Sequence, residues 1–265
     1  MGLLDDRVAI VTGASRGIGA EIARRFGAEG AAVAVAARTA EPGTSRFEGT
    51  IAETADQIRT AGGTAVAITA DLSKADDRER LVAETARQLG RPDILVNNAA
   101  VTYFIKVEDF TPKQFALMFG VQVEAPFHLA RLVVPGMREH GAGWILNISS
   151  IAAVHPTMPP GPFAGRGGTV YGMCKAATER FSTGLAAEVY PDNIAVNALS
   201  PTKVVPTPGT IFHHLTTEGA ANSEPPSVMA EAALMLCHRD PRDLTGRVTY
   251  SQTLLAELGV PVPQA

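Results

Sequence analysis

Tyr171 and Lys175 stand four residues apart in the run Tyr171-Gly172-Met173-Cys174-Lys175. On a helix that spacing puts both on one face. A tyrosine with its ordinary pKa of about 10 is a poor acid or base near neutrality. An ammonium beside it favours the phenolate and moves it toward the range where it can give and take protons. Taken alone, such a pair is also an ordinary helix-surface pair. A second stretch weighs against that reading. Val8-Ala9-Ile10-Val11-Thr12 is a short apolar run, followed at once by Gly13-Ala14-Ser15-Arg16-Gly17-Ile18-Gly19 and a helical pattern from Ala20 to Glu29. A buried strand, a tight glycine turn and a helix N-terminus make a phosphate site, because backbone N–H groups and the helix dipole both favour an anion there. Gly13 permits the sharp turn, Gly17 lets a pyrophosphate approach the backbone, and Gly19 lets helix and strand pack closely. The spacing is Gly-x-x-x-Gly-x-Gly rather than the commoner Gly-x-Gly-x-x-Gly, and by itself it also fits a plain strand–helix turn.

The elements that must position these groups alternate along the chain. Apolar runs at 32–37, 64–69, 94–97, 144–148, 194–199 and 247–250 read as further strands. Ile51, Ala55 and Ile58 recur at helical spacing. Ser73-Lys74-Ala75-Asp76 resembles a capping box that opens a helix with Leu81, Val82, Thr85 and Leu89 on one face. Thr111-Pro112-Lys113-Gln114 supplies an N-cap, a first-turn proline and a Gln three residues on, for a helix running toward Met137. Helices over Tyr171–Val189 and Ser227–His238 follow. Continuously apolar strands alternating with helices predict an α/β fold: one doubly wound Rossmann domain over residues 1–265, with a parallel sheet of about seven strands and helices on both faces. Ligands in such sheets bind beyond the carboxyl ends of the strands. Gly13, Arg38, Asp71, Asn97 and Ser150 all follow strand ends.

Composition narrows the classes. The 265 residues are 46% hydrophobic, enough for a large core, and a net charge of −4 offers no general attraction for nucleic acid or an anionic membrane. Two cysteines, Cys174 and Cys237, make no disulfide framework, so a reducing cytoplasm is the expected setting. The first residues lack the basic and apolar segments of a signal peptide, and no membrane span is expected. His155, His213 and His214 have no further ligand at sensible spacing, so no metal is expected and they read as loop histidines.

The glycine turn, Asn97-Asn98-Ala99-Ala100, Ser150 and Tyr171-x-x-x-Lys175, in that order, resemble the short-chain dehydrogenase/reductase family across nearly the whole chain. Arg38-Thr39-Ala40-Glu41-Pro42 and Gly246-Arg247-Val248-Thr249-Tyr250-Ser251 resemble its hydroxysteroid dehydrogenase-like branch, which also brings lipid or acyl-CoA chemistry into view. The resemblance implies an oxidoreductase that interconverts a secondary alcohol and a carbonyl, with Ser150 holding the substrate oxygen, Tyr171 as acid/base and Lys175 beside it. It implies cofactor contacts at Gly13, Ser15, Arg16, Gly17, Ile18, Gly19, Arg38, Asp71, Leu72, Asn98, Ala99, Tyr171, Lys175, Pro201 and Val204, with Asn97 shaping the central cofactor bed. A homodimer or homotetramer is implied too, paired through the helix before the fifth strand and the one carrying Tyr171. Phe181, Leu185 and Val189 are spaced to serve that face or the core. A nucleotide-binding protein with little turnover, a sensor or scaffold, is the alternative function.

The second strand bears on the cofactor. An NAD site places Asp or Glu at its end to bind the ribose 2′-hydroxyl. Here Ala36-Ala37 is followed by Arg38, and Arg16 adds a second guanidinium suited to a 2′-phosphate. NADP(H) is therefore expected, with NAD(H) as the alternative. Three departures from the family pattern stand out. Thr202 replaces a usual Gly. The stretch from Ser150 to Tyr171 is long and holds Pro156, Pro159, Pro160 and Pro162; it reads either as a substrate cover, with Met158 and Phe163 lining an apolar pocket, or as a solvated excursion. Gln122 stands at the position of an Asn whose backbone carbonyl holds a water beside the catalytic Lys. Pro126, four residues on, has no N–H to give the Gln122 carbonyl, so a kink exposing that carbonyl to a water or to Lys175 is expected.

Overall fold

A computed structural model describes residues 2–161 and 164–264. The apolar runs form the strands β1 Val8–Thr12, β2 Ala32–Ala37, β3 Thr64–Thr69, β4 Ile94–Asn97, β5 Gly143–Ile148, β6 Ile194–Ser200 and β7 Val248–Tyr250. They make one seven-stranded sheet in the order β3-β2-β1-β4-β5-β6-β7, each neighbouring pair parallel. Successive residues face opposite cores: Ala9, Val11, Val33, Val35 and Leu146 one, Ile10, Ala34, Leu95 and Ile145 the other. With both faces covered, central strands such as β1 are buried at every position, which is why they read as unbroken apolar runs.

The helices are α1 Gly17–Ala28, α2 Ile51–Thr60, α3 Ala75–Gln88, α4 Pro112–Phe119, α5 Ala125–His140, α6 Thr169–Val189, α7 Pro208–Phe212, α8 Pro226–His238 and α9 Ser251–Glu257. Phe26 of α1, Ile58 of α2, Leu234 of α8 and Leu254 of α9 fill the first core; Leu81 of α3, Leu129 of α5 and Val189 of α6 fill the second. The fold is thus doubly wound. Strand order reverses between β1 and β4, and the ligand crevice of such a sheet lies beyond their carboxyl ends.

Caps refine the helix boundaries. Thr111 and Gln114 form the expected capping box, with Pro112 opening α4. Thr50 and Glu53 form another, on α2, that the sequence reading passes over. The capping box expected at Ser73–Asp76 does not form. Lys74 is the N-cap of α3 and offers no cap bond, while the Ser73 hydroxyl bonds Asp71 Oδ1 at 2.8 Å. The helix that runs from Thr111 toward Met137 widens into a π turn at Gly120–Glu124, where Pro126 leads one to expect a kink. The whole run Pro112–His140 is long and apolar enough to cross a membrane, but half of its most apolar window is buried, with Leu129, Ala130 and Val133 inside the second core.

Candidate active site

The glycine turn is built by close backbone approach. Gly13 and Gly17 have φ of +65° and +58°, a region that disfavours any side chain. A Cβ on Gly13 would lie 2.7 Å from the Ala99 Cα, and one on Gly19 would lie 2.3 Å from Asn98 Nδ2. Asn98 Nδ2 donates to the carbonyls of Thr12 (2.9 Å) and Gly13 (3.2 Å), and Thr12 Oγ1 accepts from the N–H groups of Asn98 and Ala99. Arg16, the N-cap of α1, makes no side-chain cap bond. The first turn of α1 therefore keeps N–H groups that no cap oxygen takes, as a phosphate site requires. Ser15 is buried and Ile18 half-buried behind this turn.

Around it stand the residues expected to read the cofactor's far end. Arg38 follows β2, exposed and without a hydrogen bond or ion pair to any described residue. Arg16 is not a free cation: its Nε donates to Glu48 O and its Nη2 to Gly49 O, both at 2.7 Å. Burial lowers its pKa, and Arg38 is near enough to lower it further. The two guanidinium groups thus lie near one another. Asp71 accepts from Ser73 and donates its N–H to Asp77 Oδ2 at 2.7 Å. The Leu72 side chain belongs to the second core, so only its backbone can face a ligand.

Ser150, just beyond β5, is the N-cap of a short turn at Ile151–Ala153 and accepts from Ala152 N at 3.2 Å. Tyr171 and Lys175 lie in the first turns of α6. Gly172 lets that helix press on the Ser150 turn, for a Cβ there would lie 2.5 Å from Ala152 O. The Ser150 hydroxyl lies close enough to Tyr171 to lower the phenol's pKa. Lys175 Nζ is buried, 5.6 Å from the centre of the Tyr171 ring, and donates to Ile148 O at 2.8 Å. Burial brings the Lys175 pKa down to about 8. The Tyr171 pKa moves opposite to the expected direction. Burial raises it and the Ser150 hydroxyl offsets part of that, while Lys175 gives a hydrogen bond to the Ile148 carbonyl.

Gln122 also departs from expectation. Its carbonyl lacks a helical donor, since residue 126 is proline, and the chain widens there into the π turn. Lys175 gives its bond to Ile148 O and none to that carbonyl. The Gln122 carbonyl accepts from Thr178 Oγ1 at 3.1 Å, a hydroxyl that also lies 2.9 Å from Cys174 O. The Gln122 side chain donates to Val101 O at 2.9 Å, bracing the chain just beyond Asn98-Ala99, and its Oε1 is buried without a protein partner.

Beyond β6, Pro201 is half-buried and Val204 forms a bridge with Ser223. Thr202 is pinned: its N–H donates to Ser251 Oγ (3.0 Å) and Glu224 Oε1 (3.2 Å), and its Oγ1 accepts from Gln252 N. Glu224, fully inside the fold, also takes bonds from Ser251 and Gln252 and was not legible from sequence. Nor was an aromatic row ending at Tyr171. Phe104 meets the Tyr171 ring edge-on at 5.5 Å and the His213 ring at 5.0 Å, and His213 meets Phe212 at 5.2 Å. Burial lowers the His213 pKa, helped by Arg46 and His214. No cluster of three His, Cys, Asp or Glu suited to a metal occurs among the described residues. Met158 is 82% exposed, in a run 154–161 that is exposed throughout, so it lines no pocket; Pro162 and Phe163 lie outside the described residues. Phe181 and Leu185 pack against the second core, which Val189 joins.

A phosphate-type turn and a Ser–Tyr–Lys set thus open on one edge of a doubly wound sheet. Residues 7–213 match the family model for short chain dehydrogenases. The chain belongs to that family. Among its short chain dehydrogenase relatives, an uncharacterized oxidoreductase of Methylorubrum extorquens is 34% identical over 250 residues, covering 94% of this chain and 92% of that protein. A short chain dehydrogenase of Mycobacterium thermoresistibile superposes with a TM-score of 0.83 at 34% identity, over 97% of this chain and 89% of its own. A 3-oxoacyl (acyl-carrier-protein) reductase of Agrobacterium tumefaciens, solved with NADP bound, gives 0.78 at 28% identity, over 93% of each chain.

Proposed function

We propose that this short chain dehydrogenase interconverts a secondary alcohol and a carbonyl compound, with NADP(H) as its cofactor. The observation that carries the reading is that α6 presses on the Ser150 turn at Gly172 and so brings Tyr171 beside Ser150, with Lys175 buried one turn along the same helix. The residues around the crevice fit a dinucleotide. The glycine turn is a cradle that side chains would fill at Gly13 and Gly19, and the N-terminus of α1 has no cap oxygen of its own. Gly13, Ser15, Gly17, Ile18 and Gly19 would hold the pyrophosphate, Asp71, Leu72, Asn98 and Ala99 the adenosine side and the middle of the crevice, and Pro201 and Val204 the nicotinamide end.

When bound, the cofactor supplies or receives the hydride. The chain supplies position and the proton. Ser150 and Tyr171 present two hydroxyls to one substrate oxygen. In reduction Tyr171 gives its proton to that oxygen, and in oxidation it takes the proton back. Tyr171 is protonated at neutral pH, as a phenol ordinarily is, and burial raises its pKa further. Lys175, whose pKa of about 8 leaves it mostly charged at pH 7, steadies the phenolate that remains. Gln122 belongs to this machinery as a brace on Val101 and α6.

NADP(H) is preferred over NAD(H) in this reading because no acid stands at the end of β2 and Arg38 is unpaired among the described residues. The NADP-bound relative supports it. The test is a consumption assay with NADPH and NADH over ketones, aldehydes and secondary alcohols. Turnover that disappears in Tyr171→Phe supports the reading. Cofactor protection against heat with no turnover on any compound overturns it in favour of a nucleotide-binding protein.

A further inference from the structure

Phe212 is 47% exposed on a helix of five residues, so burial in a core does not hold it. Its partners are rings and a cation. Phe47 meets it edge-on at 5.5 Å, and the Arg46 guanidinium sits over both rings, 4.8 Å from Phe212 and 5.5 Å from Phe47. Edge-to-face pairs and cation–ring contacts of this kind each favour one relative placement. On its other side Phe212 meets His213, and His213 meets Phe104, which lies against Tyr171.

The segment that carries Phe47 is not a loose loop. Ile51 N bonds Thr39 O at 3.0 Å and closes its neck, and buried Thr50 starts α2 through its capping box. The segment also rests on the glycine turn. Arg16 grips the carbonyls of Glu48 and Gly49, and a Cβ on Gly49 would lie 2.5 Å from Ser15 O. One end of this strut is thus fixed to the cofactor turn. The other end presents Phe47 to α7.

We propose that Phe47 is a positioning residue: through Phe212, His213 and Phe104 it holds the aromatic wall beside Tyr171 and so sets acceptance of carbonyl substrates that carry a flat apolar group. The inference rests on the oxidoreductase reading above. A ring next to the reacting carbon packs against the edge of Phe104, whereas a compact aliphatic carbonyl reaches Tyr171 without touching that wall. Loss of Phe47 frees Phe212 and lets the wall swing, which weakens one class of substrate and spares the other.

The experiment compares Phe47→Ala and Phe47→Tyr with the wild type on acetophenone and on butanone at saturating NADPH. The expected result for Phe47→Ala is an acetophenone KM raised about tenfold, with kcat and the butanone KM changed less than about twofold. Phe47→Tyr, which keeps the ring, restores the acetophenone KM. NADPH affinity, followed by its fluorescence on binding, stays within about threefold in both variants. Equal changes for both ketones, no change for either, or a KM rise matched by lost NADPH affinity overturns the proposal. A readout without turnover separates its failure from failure of the activity itself. The His213 ring resonance, assigned with His213→Gln, shifts in Phe47→Ala if the row is mechanically linked, and an unmoved resonance refutes the link. If the wild type reduces neither ketone, the comparison moves to an aryl and an alkyl carbonyl taken from the consumption assay, and the resonance decides the row without turnover.

Discussion

Lys175 donates to the carbonyl of Ile148 at 2.8 Å, while its nitrogen lies 5.6 Å from the centre of the Tyr171 ring. The carbonyl belongs to the last residue of β5, one of the innermost strands. A buried amine on a strand end has a cost that depends on pH. The folded pKa of about 8 lies below the ordinary 10.5, so the folded chain releases this proton first. Between the two values the unfolded chain binds more protons, and stability therefore rises with pH across that window. A lowering of this size corresponds to about 3 kcal/mol at most. Urea unfolding of the wild type and Lys175→Met from pH 7.5 to 10 should show this rise in the wild type only, alongside lost turnover in the variant. Parallel pH profiles would refute it.

Arg38 is the exposed guanidinium after β2, and Arg16 already spends two of its nitrogens on Glu48 and Gly49. Arg38→Ala should weaken NADPH binding about 10- to 100-fold, the worth of one charge-assisted contact, and NADH binding only slightly. Titration calorimetry with both nucleotides measures the difference, and equal weakening would remove the case for NADP(H).

Gly172 stands between the two halves of the Ser–Tyr–Lys set, with Ala152 O 2.5 Å from where a Cβ would go. The neighbour is backbone and cannot turn aside. Gly172→Ala should cost about 1–3 kcal/mol of stability and reduce kcat by parting Ser150 from Tyr171. A melting curve together with steady-state kinetics checks both; unchanged kcat would mean that the Ser150 turn moves with α6.

Thr178 and Pro126 form a coupled pair through the Gln122 carbonyl. Thr178→Val removes that carbonyl's donor in a buried site and should cost about 1–3 kcal/mol. Pro126→Ala restores a backbone N–H at the helical position, so the double variant should recover part of the loss. A double-mutant cycle by urea unfolding tests it, and strictly additive effects would show the two sites to be independent.

Phe115, Phe119 and Phe127 are exposed along α4 and α5, the first two stacked at 5.9 Å. If the chain self-associates through these helices, the wild type should sediment as a dimer or tetramer at micromolar concentration and Phe127→Glu as a monomer. A monomeric wild type would exclude it.

The sheet was legible because its strands are short, mainly apolar runs, with central ones such as β1 buried on both faces, and every run from Val8 to Tyr250 became a strand. The glycine turn and the Tyr171–Lys175 spacing were legible because local geometry fixes them. What stayed hidden depends on contacts distant in sequence. Nothing near Pro126 tells that Thr178, on another helix, takes the Gln122 carbonyl. Nothing near Tyr171 says that burial would raise its pKa. Glu224 looks like a surface acid until Thr202, Ser251 and Gln252 close round it. The aromatic row draws its members from three connections that folding alone brings together.

Asn98 and Thr12 tie the exit of β4 to the exit of β1, and the missing side chain of Gly13 lets the two chains touch at Ala99. These are the middle strands of the molecule, the ones a partly opened chain gives up last. The walls about Tyr171 instead hang from the connections after β2, β4 and β6, farther from those strands and held through Arg16, Gln122 and Thr202. Heat or denaturant should therefore blunt discrimination between substrates well before it abolishes nucleotide capture. By the same division, a lineage can exchange Phe47, Phe104 or His213 for other side chains and acquire new substrates while the machinery that grips the nucleotide goes untouched.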